Sequence, residues 1–581
     1  MTGVRLDQIR ELVSQGKNEQ AKVACRRLVQ SAPADAAAAS LMALILMNLG
    51  EVPQAIFYAQ KAAGLSPQDF RARMNLAGLL ATERRFDEAM KEIDAATRLE
   101  PGSGETHQLA TLCLLEQGKH AAARERCAAG LKAAPEDHDL LVTRANTLLD
   151  CGDAAGALAA LDGLAAKYPD DAFVLSTRAL VMNYVDGVEP GRVRAAHEAY
   201  GALASRGAPD LTPRGARTPG RLRVGFVSPD LRGHSVAMFM LPLLRHLSRG
   251  EFQTFAYFTN RFEDETTRVC RGLVEVWREC GNVSDAALAG LIARDELDVC
   301  VELSGHTKGH SLGAMAAHPA RVVATYLGYP NTTGVRGVDV RIVDSRTDPV
   351  GEADGHATER LVRLDPCFVC FEPPMEAPEV RARDAGRAPT FVSFNAAPKL
   401  SPRVLGLWAK VMESVPGSRL VLKAAHFSEA ALREEVLGRL AAAGVARERV
   451  EVLSPTKGRA EHLAAYHAGD VALDTYPYHG TTTTLEAMWM GVPVVTLAGG
   501  VHASRVGVSL LQAVGLQELV AKREEEYVEI AAGLVMDAER LAGLRGGLRE
   551  RVRASVLCDG AGFAARFGRM LRAIAEEGVK R

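Results

Sequence analysis

Gly16-Lys-Asn-Glu-Gln-Ala-Lys-Val-Ala-Cys-Arg-Arg-Leu-Val-Gln-Ser-Ala-Pro33 decides the fold of the first third of the chain, because its punctuation returns at a fixed distance. Pro33, Pro67, Pro101, Pro135 and Pro169 stand 34 residues apart. In the same frame Ala21, Ala55, Ala89, Ala123 and Ala157 form a second column, and Gly16, Gly50, Gly118 and Gly152 a third, with Arg84 replacing one glycine. Such a period describes a helix pair: proline ends the second helix, glycine makes the turn inside the unit, and the small residue lets two helices approach closely. Ala43, Ala77, Thr111, Ala145 and Ala179 supply the small position of the first helix. Leu46, Leu80, Leu114, Leu148 and Met182 fill the apolar position one turn later, which places one more helix after Pro169.

This is how a tetratricopeptide repeat is built, and residues 1–185 are assigned to an α-solenoid of such repeats. Stacked pairs form a superhelix whose concave face holds extended peptide, so the functional reading is a protein- or peptide-binding arm. Homo-oligomerisation or spacing is the plainer reading of the same arm. The one Asp-x-Asp, Asp137-His-Asp139, follows Pro135 in a repeat turn, where helix capping explains it at least as well as cation binding.

Outward from the repeats, 581 residues call for three to five folding units. With 47% hydrophobic and 24% charged residues, the composition excludes wholesale disorder and collagen. Sixty-nine Lys+Arg against seventy-one Asp+Glu give no net field for nucleic acid or anionic lipid. With no membrane-length apolar run and charges alternating through Met1–Gln20, the expectation is a cytoplasmic protein. The ten cysteines read as free thiols, and the lone C-x-x-C, Cys367 and Cys370 in the strand-like run Leu361–Phe371, reads as packing.

After Met182 the period fails, and residues 186–220 read as a helix over Arg192–Ser205 and a Pro/Gly/Arg-rich linker. From Leu222 apolar runs alternate with amphipathic helices, first over residues 221–375 and again over 388–581. Strands are expected at Leu222–Ser228, Phe252–Phe258, Leu297–Leu303, Arg321–Leu327, Val338–Val343 and Arg360–Leu364. The second series is Thr390–Phe394, Arg419–Lys423, Arg449–Leu453, Asp470–Leu473 and Pro493–Leu497. Two Rossmann-like α/β sheets in tandem place a ligand cleft between their carboxyl ends.

The densest chemistry lies in Leu473-Asp-Thr-Tyr-Pro-Tyr-His-Gly-Thr-Thr-Thr-Thr-Leu-Glu486. A strand ends at Asp474, a loop reaches Gly480, and four threonines open a helix. Hydroxyls and free N–H groups at a helix N-terminus make an anion site that fits a diphosphate, whereas a cap alone needs one such residue. Gly480, Thr481, Thr482 and Thr483 are therefore candidate diphosphate-binding residues, with Glu486 placed to accept from ribose hydroxyls.

This segment resembles the nucleotide-sugar site of the glycosyltransferase family containing the O-linked N-acetylglucosamine transferases and SPINDLY-like proteins. Four more motifs carry the resemblance: Val224-Gly-Phe-Val-Ser-Pro-Asp-Leu-Arg-Gly-His234, Ser304-Gly-His-Thr-Lys-Gly309, Tyr326-Leu-Gly-Tyr-Pro-Asn-Thr-Thr-Gly334 and Ser393-Phe-Asn-Ala-Ala-Pro-Lys399. It covers essentially the whole chain and implies a GT-B arrangement behind the repeats. It also implies an inverting transferase that needs no metal or other cofactor and moves N-acetylglucosamine from a UDP donor to Ser or Thr hydroxyls of proteins. GDP-fucose or UDP-glucose as donor, and a non-catalytic repeat scaffold, are the alternatives.

By the same resemblance Lys399 contacts the donor β-phosphate, His234 lies near the acceptor and the anomeric carbon, and Arg459 and His462 contact ribose and uracil. Asn395 joins the donor site, Asp298 and His306 are further base candidates, and Tyr329, Pro330 and Thr332 are acceptor-side. The chain departs from the family pattern at Ser235, Asn331 and Ala396, where proline, glycine and a polar residue are usual. It also lacks the family's asparagine ladder in the repeats, since Asn48, Asn75, Asn146 and Asn183 fall in four different columns.

Overall fold

A computed structural model describes residues 6–214, 217, 219–384 and 386–578. Residues 215, 216 and 218 of the linker, and those at the two ends, lie outside the described residues. The chain divides into two compact units, the first ending at Cys151 and the second beginning at Gly152.

The first unit is a run of helices: Leu6–Ser14, Asn18–Ser31, Ala36–Asn48, Val52–Leu65, Phe70–Thr82, Phe86–Leu99, Gly104–Glu116, His120–Ala133 and His138–Asp150. Its sequence columns have physical counterparts. Ala21, Ala55, Ala89 and Ala123 are all 0% exposed, so the small side chain is what permits helix contact. Gly16, Gly50 and Gly118 turn with φ of 71°, 76° and 70°, and Arg84 adopts the same left-handed conformation at φ 58°.

A further column escaped the sequence reading. Two residues after four of the five prolines, Asp35, Asp69, Asp137 and Asp171 are N-caps that accept backbone N–H groups of the next helix. The Asp137 carboxylate accepts from Leu140 N at 2.9 Å, so the Asp-x-Asp is occupied as a helix cap.

The second unit opens with the last repeat helices, Ala154–Lys167 and Ala172–Val181, followed by Pro190–Ala204. Seven strands follow: β1 (Leu222–Ser228), β2 (Phe252–Phe258), β3 (Val276–Glu279), β4 (Val299–Glu302), β5 (Val322–Tyr326), β6 (Val340–Val343) and β7 (Arg360–Arg363). They form one parallel sheet in the order β3-β2-β1-β4-β5-β6-β7. The second sheet contains β8 (Thr390–Ser393), β9 (Arg419–Lys423), β10 (Val450–Leu453), β11 (Val471–Leu473), β12 (Val494–Leu497) and β13 (Val520–Ala521). Its order is β10-β9-β8-β11-β12-β13, again parallel.

The short edge strands β3 and β13 gave no apolar run in the sequence. The strand-like run to Phe371 is a strand only to Arg363, because Pro366 interrupts it with a residue that lacks an N–H donor. Cys367 and Cys370 beyond it are buried free thiols inside the common core.

The final helix, Gly560–Glu577, returns to the first sheet and packs on the helix Ser235–His246. Phe567 meets Tyr326 with ring centroids 5.3 Å apart, and Arg572 donates to Glu251 at 2.7 Å. The sheets are fastened together below the cleft by His502 on Asp348 at 2.5 Å, Ser509 on Asp344 at 2.5 Å, and Arg505 donating to the Arg346 carbonyl at 2.8 Å. Burial alone would raise the Asp348 carboxyl, but Arg341 and His502 hold it well below the usual range. Among the described residues no helix is long and apolar enough to cross a membrane.

The repeat turns give a paired test. Gly118 lies at φ 70° with no atom within 4 Å of the place a Cβ would take, so Gly118→Val should cost about 1–2 kcal/mol through backbone strain alone. Gly64 is helical with equally open surroundings, and Gly64→Ala should raise stability by about 0.5–1 kcal/mol. Denaturation midpoints of the two full-length variants compare them, and equal shifts would contradict the turn assignment.

Candidate active site

Both sheets reverse strand order at one point, and ligands collect beside such reversals at the carboxyl ends of parallel strands. In the first sheet the reversal lies between β1 and β4, whose following loops carry His234 and Thr307. In the second it lies between β8 and β11, followed by Asn395–Lys399 and Asp474–Thr483. A cleft of about 980 Å³ joins the two points and is lined by His234, Asn395, Lys399, His462, Thr481 and Glu486 among others.

The loop after β11 is built on Asp474. One carboxylate oxygen accepts from the N–H groups of Thr475 and Gly480, each at 2.9 Å, and the other accepts from Thr496 Oγ1 at 2.8 Å. The chain then enters the helix Thr482–Trp489, and among the described residues no side chain caps its N-terminus. Its first amides and the positive end of its dipole are left for an anion in the cleft.

The threonine run divides its labour. Thr482 donates to Ser235 Oγ at 3.1 Å, reaching the other sheet's first helix, and Thr483 donates to Asn395 Oδ1 at 3.1 Å. Thr484 bonds back to the Gly480 carbonyl at 2.9 Å and serves the turn alone. Gly480 is obligatory, because a Cβ there would stand 2.1 Å from Thr483 Oγ1 and 2.9 Å from Asn395 Oδ1.

Lys399 donates to the His479 carbonyl at 2.7 Å and lies 4.3 Å from the centre of the Tyr478 ring. Burial pulls its pKa down to about 8, with Asp474 opposing the shift. It is therefore mostly a cation at neutral pH.

A second polar chain runs along the donor side. Lys423, at the end of β9, donates to Thr456 Oγ1 at 3.1 Å and to His462 Nδ1 at 2.6 Å. The other ring nitrogen of His462 then donates to Glu486 at 3.1 Å, while Arg459 lies 4.0 Å from the same carboxylate. Burial lowers the Lys423 pKa, and Glu486 and Glu461 partly restore it. Neither Lys423 nor Tyr478 was singled out from sequence. Lys423 ends an expected strand and Tyr478 lies inside the quoted motif, so position at a strand's carboxyl end was the signal available.

On the first sheet His234 caps the helix Ser235–His246, its Nδ1 accepting from Val236 N at 3.3 Å with Asp230 at 3.7 Å. Desolvation by the cleft walls lowers its pKa below the ordinary imidazole value, with Asp230 opposing.

The other expected first-sheet residues lie elsewhere. Asp298 precedes β4, at the opposite end of the sheet from the cleft, and accepts from Arg223 N at 2.9 Å. His306 is buried with both ring nitrogens engaged, on Ser176 Oγ at 2.9 Å and the Thr333 carbonyl at 2.8 Å, which removes it as a base. Tyr329 bonds Asn183 and His197 at 2.9 and 2.8 Å. Pro330 is buried outside the cleft, and Thr332 donates to Glu359 at 2.6 Å. His306 and Tyr329 thus seat the last repeat and its following helix, while Thr332 is taken up by Thr358 and Glu359 within the first sheet's own loops.

With the site in view, the profile of glycosyl transferase family 41 matches residues 207–372 and 382–567. The chain belongs to glycosyl transferase family 41. Tetratricopeptide-repeat profiles match residues 6–70, 46–113 and 114–180. A relative from Solanum lycopersicum, named probable UDP-N-acetylglucosamine–peptide N-acetylglucosaminyltransferase SPINDLY, is 40% identical over 407 residues, covering 68% of this chain and 43% of its own. The Arabidopsis thaliana protein of the same name is 39% identical over 408 residues, with 68% and 44% covered. The chain thus spans less than half the length of these curated relatives. A solved structure of a mutant O-GlcNAc transferase from Thermobaculum terrenum superposes with a TM-score of 0.82 at 33% identity, covering 87% of this chain and 98% of that one. This family 41 chain therefore has the two-sheet GT-B arrangement.

Gly480→Ala should displace the Thr481–Thr483 turn, lower activity by about tenfold to a hundredfold and cost about 1–3 kcal/mol of stability, because the added Cβ has no room. Activity at the wild-type rate would show that this turn is not part of the site.

Proposed function

We propose that the chain is an inverting, metal-independent transferase that moves N-acetylglucosamine from UDP-N-acetylglucosamine to Ser or Thr hydroxyls of proteins. The observation that carries this reading is the open start of the helix Thr482–Trp489 beside the Lys399 ammonium, opposite His234, in one cleft. The names of the relatives supply the sugar and the peptide acceptor.

In this reading the UDP diphosphate sits on the helix start and Lys399, with Asn395 fixing Thr483 behind it. His462, Glu486 and Arg459 take the nucleoside. The acceptor oxygen bonds the anomeric carbon as the bond from that carbon to the β-phosphate oxygen breaks, so the electron pair ends on the diphosphate. A preorganised cation and helix-terminal donors stabilise that developing charge without a metal. With Nδ1 accepting from Val236, neutral His234 carries its proton on Nε2; it orients an oxygen in the cleft, and the hydroxyl proton passes to solvent.

Donor hydrolysis and transfer measured with UDP-N-acetylglucosamine, UDP-glucose and GDP-fucose test the donor. The first should be turned over best, chelator should leave its rate unchanged, and Lys399→Ala should lower it by about 10²–10³ or more with the fold intact. Preference for another donor, a rate restored only by Mg²⁺ or Mn²⁺, or near-wild-type activity of Lys399→Ala would overturn the corresponding part.

The repeats are proposed to hold the protein acceptor. Removing residues 1–101 should spare UDP binding and donor hydrolysis while lowering kcat/KM for a protein acceptor, because remote binding energy positions the reacting hydroxyl. Equal modification by the truncated, folded enzyme would leave the repeats as a spacing or oligomerisation element.

A further inference from the structure

Tyr184 lies three residues past the last repeat helix, Ala172–Val181, yet its ring lines the donor cleft. It stacks on Tyr478 with centroids 4.7 Å apart and planes within 18° of parallel. Tyr478 in turn holds the Lys399 ammonium 4.3 Å from its ring centre. The series is repeat segment, aromatic ring, aromatic ring, cation.

We propose that Tyr184 is a positioning residue of the transfer reaction: by stacking on Tyr478 it fixes the aromatic face that holds Lys399 toward the leaving diphosphate. The inference rests on the donor-site reading above. Three observations carry it. Both rings are partly buried in the cleft, so neither is a surface ornament. Tyr478 belongs to the loop that Asp474 anchors, and the adjacent His479 carbonyl accepts a hydrogen bond from Lys399 Nζ at 2.7 Å, so the ring and the carbonyl grip one ammonium from one loop. Finally, Tyr184 is fixed from behind, since its neighbour Asn183 donates to Tyr329 Oη at 2.9 Å and to the Ala179 carbonyl at 3.2 Å.

Aromatic faces hold a cation through their quadrupole, and the grip strengthens as water is removed. The titratable groups facing Lys399 are Asp474, which favours its charged form, His479, which is buried beside it, and Tyr478, whose hydroxyl burial pushes up to about 12. Lys399 stands at about 8 because desolvation outweighs Asp474. A depressed lysine binds an anion as a cation below its pKa, and that contribution fades as pH rises through it. UDP affinity of the wild-type protein should therefore fall above pH ~8. Loss of the stack lets water reach the ammonium and moves the fall toward the ordinary lysine value near ~10.4.

The test uses full-length wild type, Tyr184→Phe, Tyr184→Leu and Lys399→Ala, with UDP dissociation constants measured calorimetrically from pH 6.5 to 9.5 and thermal midpoints recorded alongside. Tyr184→Phe should match wild type in affinity and pH profile. Tyr184→Leu, which keeps apolar bulk, should bind UDP about three- to thirtyfold more weakly at pH 7, with its alkaline fall moved up by roughly one pH unit. Lys399→Ala should lose the fall that begins near pH ~8. A Tyr184→Leu profile that coincides with wild type, or that Tyr184→Phe shares, overturns the role of Tyr184. Failure of the wild-type protein to bind UDP, or an unchanged alkaline fall in Lys399→Ala, overturns instead the donor-site reading on which it rests.

Discussion

The carboxylate of Asp474 is the constraint from which the donor half of the cleft follows. A buried carboxylate needs its lone pairs satisfied, and this one takes the Gly480 and Thr475 amides and the Thr496 hydroxyl. Because Gly480 is pulled back onto the strand end, the chain must restart as a helix at once, and its first turn meets the cleft uncapped. The same fold of the loop turns the His479 carbonyl and the Tyr478 face toward Lys399. His479 completes the loop from below, its imidazole accepting from Gly507 N at 3.1 Å and bonding the Leu497 carbonyl at 3.0 Å. One interaction thus sets both the amide donors and the cation of an anion site.

The electrostatics of the cleft are divided between its walls. The second sheet supplies Lys399, Lys423 and Arg459, with Glu486 as the one carboxylate held among them through His462. The first sheet offers His234, whose charge is suppressed by desolvation, and beside it Arg232 paired with Asp230 at 3.4 Å. A wall of cations facing a wall without net charge suits the anionic diphosphate leaving group and the uncharged hydroxyl of the proposed reaction. Ser235 and Thr482 meet across the gap at 3.1 Å, so the position where the family usually has proline carries a polar link between the walls.

Much of this was legible in the sequence because the signals were periodic or dense. The 34-residue columns mark helix contacts that admit no larger side chain, and the strand cores are continuous apolar runs because both faces of a parallel sheet are covered. The donor motif was legible because glycine and threonine at a strand-to-helix junction have few other uses. Residues whose role depends on which end of a strand they occupy were not: Asp298 and Thr307 flank the same strand, and only the strand's direction puts one away from the cleft and the other in it. The histidine of Ser304-Gly-His306 misled for a related reason. A motif fixes neighbours in the chain, whereas the partners of His306, Ser176 and Thr333, lie 130 and 27 residues away.

That histidine also explains why the last repeat belongs with the sheets. His197, His306 and His310 gather with Tyr200 and Tyr329 around Ser176, ring against ring at 4.8–5.9 Å. Burial pulls His197 and His310 down to about 4 and His306 well below its ordinary value, so the seat is packed as neutral rings whose nitrogens are matched to hydroxyls and carbonyls. A neutral, hydrogen-bonded seat is directional, and it fixes the rotation of the helix Ala172–Val181 more tightly than an apolar patch would. Its contribution is complete above the ordinary imidazole pKa near ~6.5 and declines as pH falls below it, because the unfolded histidines bind protons that the seat excludes. Tyr184 leaves the end of that helix. The precision with which its ring meets Tyr478 is therefore inherited from the loops after β4 and β5, the same loops whose residues the sequence had offered to the acceptor.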